Sequence, residues 1–410
     1  MKVGSHAVET RTADCGAEYG NAEAAFAAAL NYESGHAVER DTEKAARIVR
    51  SLAQRGFGKA QLKLAQDIEN GKVRLADPSQ CLGWYRRAAE SGEARAMFRL
   101  GLACESGDEP GGLREAGKWF RAAAQRGLAD AQCKMGWLLS RGSEFAPIDW
   151  VSAVNWYRIA ATEGHGEAQF NLGLANEQGK GMAHPSKAEA VRWYCKAAEQ
   201  GHVQAQLHVA LCFKRGAGVP VDMKQASTWL EIAASQGNTI AMCKLAKCCL
   251  HGQGVPLDYQ RAVSLYKEAA RLGDPLGLFN LGLCFQHGKG VRKDYPQALS
   301  CFQKAAVEEL AVAVCHLGSL YEAGDIVRRD RSAAVRHYLL AAGLGSADAM
   351  YNLGVYYERV EQHLGRVSEN AERTSEHWLT YAARFGQSEA QKALALRRQR
   401  ENEHEKSVSW

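Results

Sequence analysis

The sequence has little of several features that would assign the protein to a class at once. Proline is scarce, with 8 among 410 residues, and 46% of the residues are hydrophobic, which excludes a disordered or collagen-like chain. The 51 basic residues outnumber the 46 acidic ones by five, too few to indicate a nucleic-acid or membrane-surface protein. No run approaches the roughly 18 apolar residues of a membrane span, and the first residues lack the apolar centre of a secretory signal. We therefore expect a soluble, cytoplasmic protein.

A repeated phrase is the strongest signal in the sequence. Its copies close on glycines about 36 residues apart, such as Gly201, Gly237 and Gly273, and they read WYRRAAESG, WFRAAAQRG, WYRIAATEG, WYCKAAEQG, WLEIAASQG, LYKEAARLG, HYLLAAGLG and WLTYAARFG. A second phrase keeps the same step, as in AMFRLGLACESG from Ala96. Self-similarity at this period indicates a repeat architecture. We count ten copies, followed by a last helix that begins near Ala390.

Each repeat predicts two helices that pack together. In the second phrase a small residue, a leucine four positions later and an aromatic residue or cysteine eight positions later share one helix face. A GxGV segment, as in residues 252–255, then ends the helix with glycines that tolerate positive φ. The next helix starts at an aspartate that accepts free amide hydrogens. The predicted capping residues are Asp41, Asp149, Asp222, Asp258, Asp294 and Asp330. One such hairpin is too small to bury its own apolar face, so the repeats must stack.

This combination of A-x-x-x-L-G-x-x-[YFC], GxGV, D-x-x-x-A and WYxKAAxxG resembles the Sel-1-like repeat family, relatives of the tetratricopeptide repeats. The resemblance covers the chain from about Ala24 to Leu396. It implies an all-α fold, a right-handed α-solenoid superhelix of about ten helix-turn-helix repeats, with the first helix of each repeat lining the concave surface. It also implies a non-enzymatic scaffold or adaptor for other proteins, since no catalytic residues or cofactors come with the repeat. We expect a flexible segment over 1–20, a continuous solenoid over 21–396 and a polar tail over 397–410.

One row of residues is the candidate binding site. The position three residues after each opening small residue always holds a hydrogen-bond donor, and four of the nine donors are lysine or arginine. This donor row consists of Lys63, Arg99, Lys134, Asn171, His208, Lys244, Asn280, His316 and Asn352. We predict a groove that binds protein partners through acidic or C-terminal peptide segments. The alternative for each residue is an ordinary solvated helix face.

The 12 cysteines do not form a disulfide or zinc pattern, because no CxxC unit occurs. In the cysteine-rich branch of the resembling family, a cysteine in the second alanine of the AA pair bonds to another eight residues later. Here Ala89 and Met97 hold such a pair of positions, so we expect reduced thiols. Cys212, Cys248 and Cys284 share one position in successive repeats. Stacked helices lie about 10 Å apart, too far for a disulfide, so we interpret these cysteines as packing residues, with a metal or redox row as the alternative.

Enzymatic and other functions have weaker support. GxSxG, HExxH and P-loop motifs are absent, and the SxxK of Ser264 to Lys267 lacks the SDN and KTG motifs of penicillin-binding proteins. His251 and His287 recur just before GxGV, where contact with helix carbonyls is favoured over a metal-ligand pair. Glutamates nine residues after the helix openings give a mixed charge that disfavours nucleic acid; they are Glu105, Glu177, Glu322 and Glu358. The alternatives to a scaffold are a regulatory subunit of an attached enzyme and a binder of small molecules or cell-wall fragments.

Two segments depart from the repeat. Residues 359–376 replace the usual turn with a polar stretch about five residues longer, which predicts either a longer helix or a loop that contacts a partner. At the C-terminus, Val408 and Trp410 fit a terminal motif of the kind that PDZ domains bind.

Overall fold

The computed structural model describes residues 21–36, 38–73, 80–364 and 369–408, without the side chains of 360–364, 369–374 and 400–408. These residues form 21 α-helices and contain no β-strand, which confirms the predicted all-α class. The helices are α1 Ala22–Ser34, α2 Thr42–Gln54, α3 Gly58–Glu69, α4 Gln80–Glu90, α5 Ala94–Ser106, α6 Gly112–Gln125, α7 Ala129–Arg141, α8 Trp150–Thr162, α9 Gly166–Gln178, α10 Lys187–Glu199, α11 Val203–Arg215, α12 Met223–Ser235, α13 Thr239–His251, α14 Tyr259–Arg271, α15 Pro275–His287, α16 Tyr295–Val307, α17 Ala311–Ala323, α18 Arg331–Gly343, α19 Ala347–Leu364, α20 Glu369–Arg384 and α21 Ser388–Val408.

The helices belong to two compact units whose boundary falls within α11, between Ala205 and Gln206. In the first unit, α1 to α9 each pack against the next helix in the chain, and in the second unit α12 to α20 do so. Each odd-numbered helix from α1 to α19 is the first helix of a repeat, and the even-numbered helix after it is the second. In the second unit the first helices α13 and α15 also touch each other directly. Ten predicted helix pairs are therefore present, followed by one further helix.

Close contact within a repeat depends on a small residue in the first helix and an aromatic residue in the second. Phe120, Phe302 and Tyr194 are completely buried. A Cβ atom added to Gly282 would lie 2.6 Å from the Phe302 ring, a separation that real Cβ atoms do not reach. Glycine is thus required at this notch because the ring occupies the place of a side chain.

The six aspartates predicted to cap helices do so. Each precedes the first residue of a second helix, and its carboxylate accepts a hydrogen bond from a backbone N–H two or three residues later. In α14, for example, Asp258 accepts from the N–H of Arg261 at 2.8 Å. These bonds satisfy amides that have no partner within the helix.

We expect Asp258→Ala to lower the free energy of unfolding by about 1 kcal/mol, the usual cost of losing such a cap. Urea denaturation followed by circular dichroism measures this change. Lys267→Ala, an exposed position in the same helix, is the matched control and should leave the unfolding midpoint almost unchanged. An equal loss in both variants would contradict a capping role for Asp258.

The longer repeat near the C-terminus differs from the others in helix length. Helix α19 has 18 residues and α20 has 16, where most helices have 13, so the extra residues extend the helices on both sides of residues 365–368. This agrees with the longer-helix interpretation of 359–376 for its described part. The last helix continues to Val408, past the predicted start of the polar tail at 397. Trp410, and with it the predicted terminal motif, lies outside the described residues.

The eleven described cysteines are free thiols, and Cys212, Cys248 and Cys284 are buried. Burial raises the pKa of the Cys284 thiol to about 11 and also raises that of Cys248. Thiolates are the reactive form of cysteine, so these environments disfavour reaction and are consistent with packing.

Candidate functional site

The donor row lies on the first helices of the second to tenth repeats. Lys63, Arg99, Lys134 and Asn171 belong to the first unit and the other five residues to the second. Arg99 is exposed and the remaining eight are half-buried, whereas the small residue that opens each of these helices is buried. All nine positions therefore reach solvent, as the helical period predicts. Most of these donors have partners within the fold.

In the first unit the basic members of the donor row form ion pairs with the preceding repeat. Lys63 Nζ lies 2.9 Å from Glu33 and 2.8 Å from Asp67. Lys134 Nζ lies 2.8 Å from Glu105, and Arg99 pairs with Glu69. The three glutamates all stand nine residues after the opening small residue of the preceding first helix. The positive charge of this unit's row is thus compensated within the fold.

The same glutamate position also receives the buried tyrosine of the second helix. The hydroxyl of Tyr194 donates to Glu177 at 2.7 Å, and that of Tyr338 donates to Glu322 at 2.8 Å. The glutamates, which the sequence offered only as a mixed charge, are therefore connectors within and between repeats. A lysine or arginine 29 or 30 residues after such a glutamate was the sequence signal for this pairing, but it needs the stacking register to be interpreted.

The Glu33 ion pairs predict a pH dependence of stability. Hydrogen bonds from Lys72 and then from Lys63 hold the pKa of Glu33 below its ordinary value of 4.5. A lowered folded-state pKa contributes stability that is present above the unfolded value and is lost as pH falls through the folded one. The stability advantage of the wild type over Glu33→Gln should be full at pH 7 and shrink below about pH 4.5. Urea titrations at pH 7, 5 and 3.5 measure it, and a constant difference would contradict the ion pair.

In the second unit the neutral members of the donor row have partners within the fold. Asn280 donates to a backbone carbonyl one turn earlier at 2.8 Å. His316 Nε2 lies 3.1 Å from the side-chain oxygen of Gln286, and burial lowers the pKa of His316. The amide of Asn352 contacts the Cys315 sulfur at 3.6 Å. His316 and Gln286 occupy the same two repeat positions as Lys63 and Glu33, which shows that the stacking register is the same in this unit.

Lys244 is the exception to this pairing. At the position where earlier repeats supply a glutamate, the preceding repeat supplies Lys214, followed by the exposed Arg215. Burial, and then the positive charges of Lys214 and Arg215, lower the pKa of Lys244. Lys247 lies three residues further along α13 and is exposed. These four residues, which we call the basic cluster, make no salt bridge in the part of the chain that the structure describes.

An apolar row runs beside the donors of the second unit. Ile240, Leu276 and Val312 are 46%, 40% and 42% exposed. They repeat every 36 residues and lie one helical turn before Lys244, Asn280 and His316. In the first unit this position holds charged residues instead, namely Lys59, Arg95, Asp130 and Glu167. We name Ile240, Leu276 and Val312 the apolar row. The row was not predicted from the sequence, because a hydrophobic residue next to a core position is easily assigned to the core.

The other candidate chemistry of the sequence has simple structural partners. The Ser264 hydroxyl donates to the Arg261 carbonyl at 2.7 Å. His251 and His287 end their helices immediately before glycines with positive φ. Among the described residues, no three His, Cys, Asp or Glu side chains gather in a metal-binding arrangement. Within the same residues, no helix combines the length and the apolar character that a membrane crossing requires.

Comparisons with known proteins agree with this architecture. The sequence pattern of the Sel1 repeat matches ten consecutive segments, at residues 22–57, 58–93, 94–128, 129–165, 166–202, 203–238, 239–274, 275–306, 311–346 and 347–384. Each segment contains one first helix and most or all of the second helix that follows it. A search of curated proteins found no match.

Two solved structures are similar over most of the chain. One is c5321, a protective antigen of uropathogenic Escherichia coli strains with an SLR fold, at 29% identity and a TM-score of 0.75, covering 93% of this chain and 80% of that chain. The other is a Sel1 repeat protein from Oxalobacter formigenes, at 32% identity and a TM-score of 0.55, covering 76% of this chain and 89% of that chain. Together with the ten matched segments, these similarities show that the chain belongs to the Sel1 repeat family.

Proposed function

We propose that the protein is a non-enzymatic, cytoplasmic scaffold or adaptor that binds segments of other proteins on the face formed by its first helices. The observation that carries this proposal is the apolar row of the second unit, exposed beside hydrogen-bond donors. Side chains that repeat every 36 residues and remain accessible suit an extended peptide, which can place about every third residue against successive repeats. The Sel1 repeat fold, which is generally a protein-interaction scaffold, supports the same conclusion.

The donor row of the first unit is less available for binding a partner than the donor row of the second unit. Lys63, Arg99 and Lys134 are held by glutamates, so binding to them would require an exchange of ion-pair partners. In the second unit, Lys244 has no such pair, and Asn280 and His316 lie beside the apolar row. We therefore propose that the second unit provides the stronger contacts with protein segments, and that neither a cofactor nor a nucleic acid is involved.

Selection of peptides from a phage-displayed random library on the immobilised full-length protein tests the proposal. Selected peptides should bind the wild type and lose at least about tenfold in affinity for Leu276→Glu/Val312→Glu, because a desolvated apolar contact is replaced by a charge. Leu339→Glu, which changes a similarly exposed leucine on the second helix α18, is the control and should bind normally. Failure to enrich any peptide, or equal loss in both variants, would count against the proposal.

A further inference from the structure

The basic cluster is the place where the repeating pairing pattern of the chain is reversed. A donor-row residue lies beside a residue of the preceding repeat, the one that stands nine positions after the opening small residue of that repeat's first helix. The Lys63–Glu33, Lys134–Glu105 and His316–Gln286 contacts show this arrangement. At Lys244 this neighbour is a second lysine. Two like charges side by side on packed helices destabilise each other. Among the described residues, no ion pair offsets this repulsion.

In the part of the chain that the structure describes, none of the four residues makes a salt bridge, and no carboxylate is among the groups with the largest effect on the pKa of Lys244. Burial first, and then the positive charges of Lys214 and Arg215, lower the pKa of Lys244; Cys243 has a smaller, opposite effect, and Lys247 lowers the pKa further. Lys244 and Lys247 are three residues apart on α13 and therefore project from one side of the helix. Arg215 and Lys247 are exposed, while Lys214 and Lys244 are half-buried. The cluster thus offers four cationic groups from two neighbouring first helices to one ligand.

We propose that the basic cluster, Lys214, Arg215, Lys244 and Lys247, binds carboxylates of an acidic protein segment whose apolar side chains rest on the apolar row. This inference rests on the proposed function and identifies the class of segment that the second unit takes. The charge complementarity is one-sided, since the cluster can bind only anions. Ile240 lies one turn from Lys244 on the same helix, so a ligand that reaches the lysine also covers an apolar residue.

A nucleic acid would fit this surface less well. A phosphate backbone needs positive charges along several repeats. The next two donor positions, however, hold the neutral Asn280 and the half-buried His316, whose pKa is lowered by burial. The neighbouring apolar row consists of aliphatic rather than aromatic residues, which cannot stack with bases as single-strand binding surfaces do. An acidic segment with interspersed apolar residues can contact both surfaces, its carboxylates the basic cluster and its apolar side chains the apolar row.

Fluorescence anisotropy with the full-length protein tests the inference. The probe is a fluorescein-labelled twelve-residue peptide of alternating glutamate and leucine, and its partner probe has glutamine in place of glutamate. Extended, such a peptide spans roughly 40 Å, enough for about three stacked repeats. The glutamate peptide should bind at least about tenfold more tightly than the glutamine peptide, and increasing salt should reduce this difference.

Variants locate the site. Lys214→Glu/Lys244→Glu should lose at least about tenfold in affinity for the glutamate peptide, and Lys214→Gln/Lys244→Gln should lose several-fold without adding negative charge. Lys224→Glu/Lys267→Glu removes the same charge from exposed positions on the second helices α12 and α14, and it should bind as the wild type does. Circular dichroism confirms that each variant is folded.

The outcomes separate this inference from the proposed function. Equal affinity for the two peptides, or equal affinity of the wild type and Lys214→Glu/Lys244→Glu, would overturn the inference. If library-selected peptides still bind through the apolar row in that case, the proposed function stands without the acidic preference. Tighter binding of single-stranded RNA of the same charge, lost in the same variant, would replace the acidic segment with a nucleic acid. Absence of any library-selected peptide would instead remove the proposed function itself.

Discussion

Gly254→Ala should destabilise the second unit by about 3 kcal/mol, the largest loss that we expect from a single methyl group in this chain. Gly254 lies in the GxGV turn with φ of +74°, a conformation that disfavours any residue with a Cβ atom. In addition, a Cβ atom there would lie 1.9 Å from the carbonyl oxygen of Met223, in the first turn of α12. The Ser227 hydroxyl donates to the Gly254 carbonyl at 3.0 Å, so the turn is held against that helix and cannot easily move away.

Gly273→Ala is the matched control because it isolates the conformational part of this effect. Its φ is +85°, and no atom lies within 4 Å of an added Cβ. We expect a loss of only about 1 kcal/mol at this position. Urea denaturation followed by circular dichroism gives both values. Equal losses in the two variants would show that the turn relaxes without cost and that contact with α12 does not require glycine.

The local features of the fold could be predicted from the sequence because each depends on residues close together in the chain. Asp258 caps α14 since a carboxylate before a helix always meets free amides. Gly254 lies in the turn after α13 and has a positive φ, a conformation that few residues other than glycine adopt. Close packing of another helix at Gly282 could also be predicted, because a glycine at a fixed place in an apolar helix favours close packing. Its partner, Phe302, belongs to the same repeat.

The candidate site could be predicted only in part, because it depends on contacts between repeats. The helical period correctly indicated that Lys63 and Lys244 occupy one position and reach solvent. It gave no information on the stacking register, which places Glu33 beside Lys63 and Lys214 beside Lys244. Two residues that are equivalent along the sequence therefore differ in their electrostatic surroundings. The register follows from side-chain packing between neighbouring helices, and a one-dimensional pattern does not contain it.

This difference predicts opposite results for the same substitution at equivalent positions. Lys63→Glu should lower the free energy of unfolding by about 2 kcal/mol, since it removes two attractions and adds two repulsions of roughly 0.5 kcal/mol each, to Glu33 and Asp67. Lys244→Glu should leave stability unchanged or raise it by about 0.5 kcal/mol, because repulsion from Lys214 becomes attraction.

Urea denaturation at low ionic strength measures both variants, and the difference between them should diminish in 1 M salt. Lys63→Gln and Lys244→Gln separate the loss of a charge from its reversal, and each should lie between the wild type and the corresponding glutamate variant. A similar loss of stability in Lys63→Glu and Lys244→Glu would mean that Lys214 does not act on Lys244. If Lys244→Glu is more stable than the wild type and binds the acidic peptide less tightly, then Lys244 is an unfavourable charge in the free protein. A bound acidic ligand relieves that repulsion. That combination of stability and affinity is expected of a residue retained for binding and not for folding.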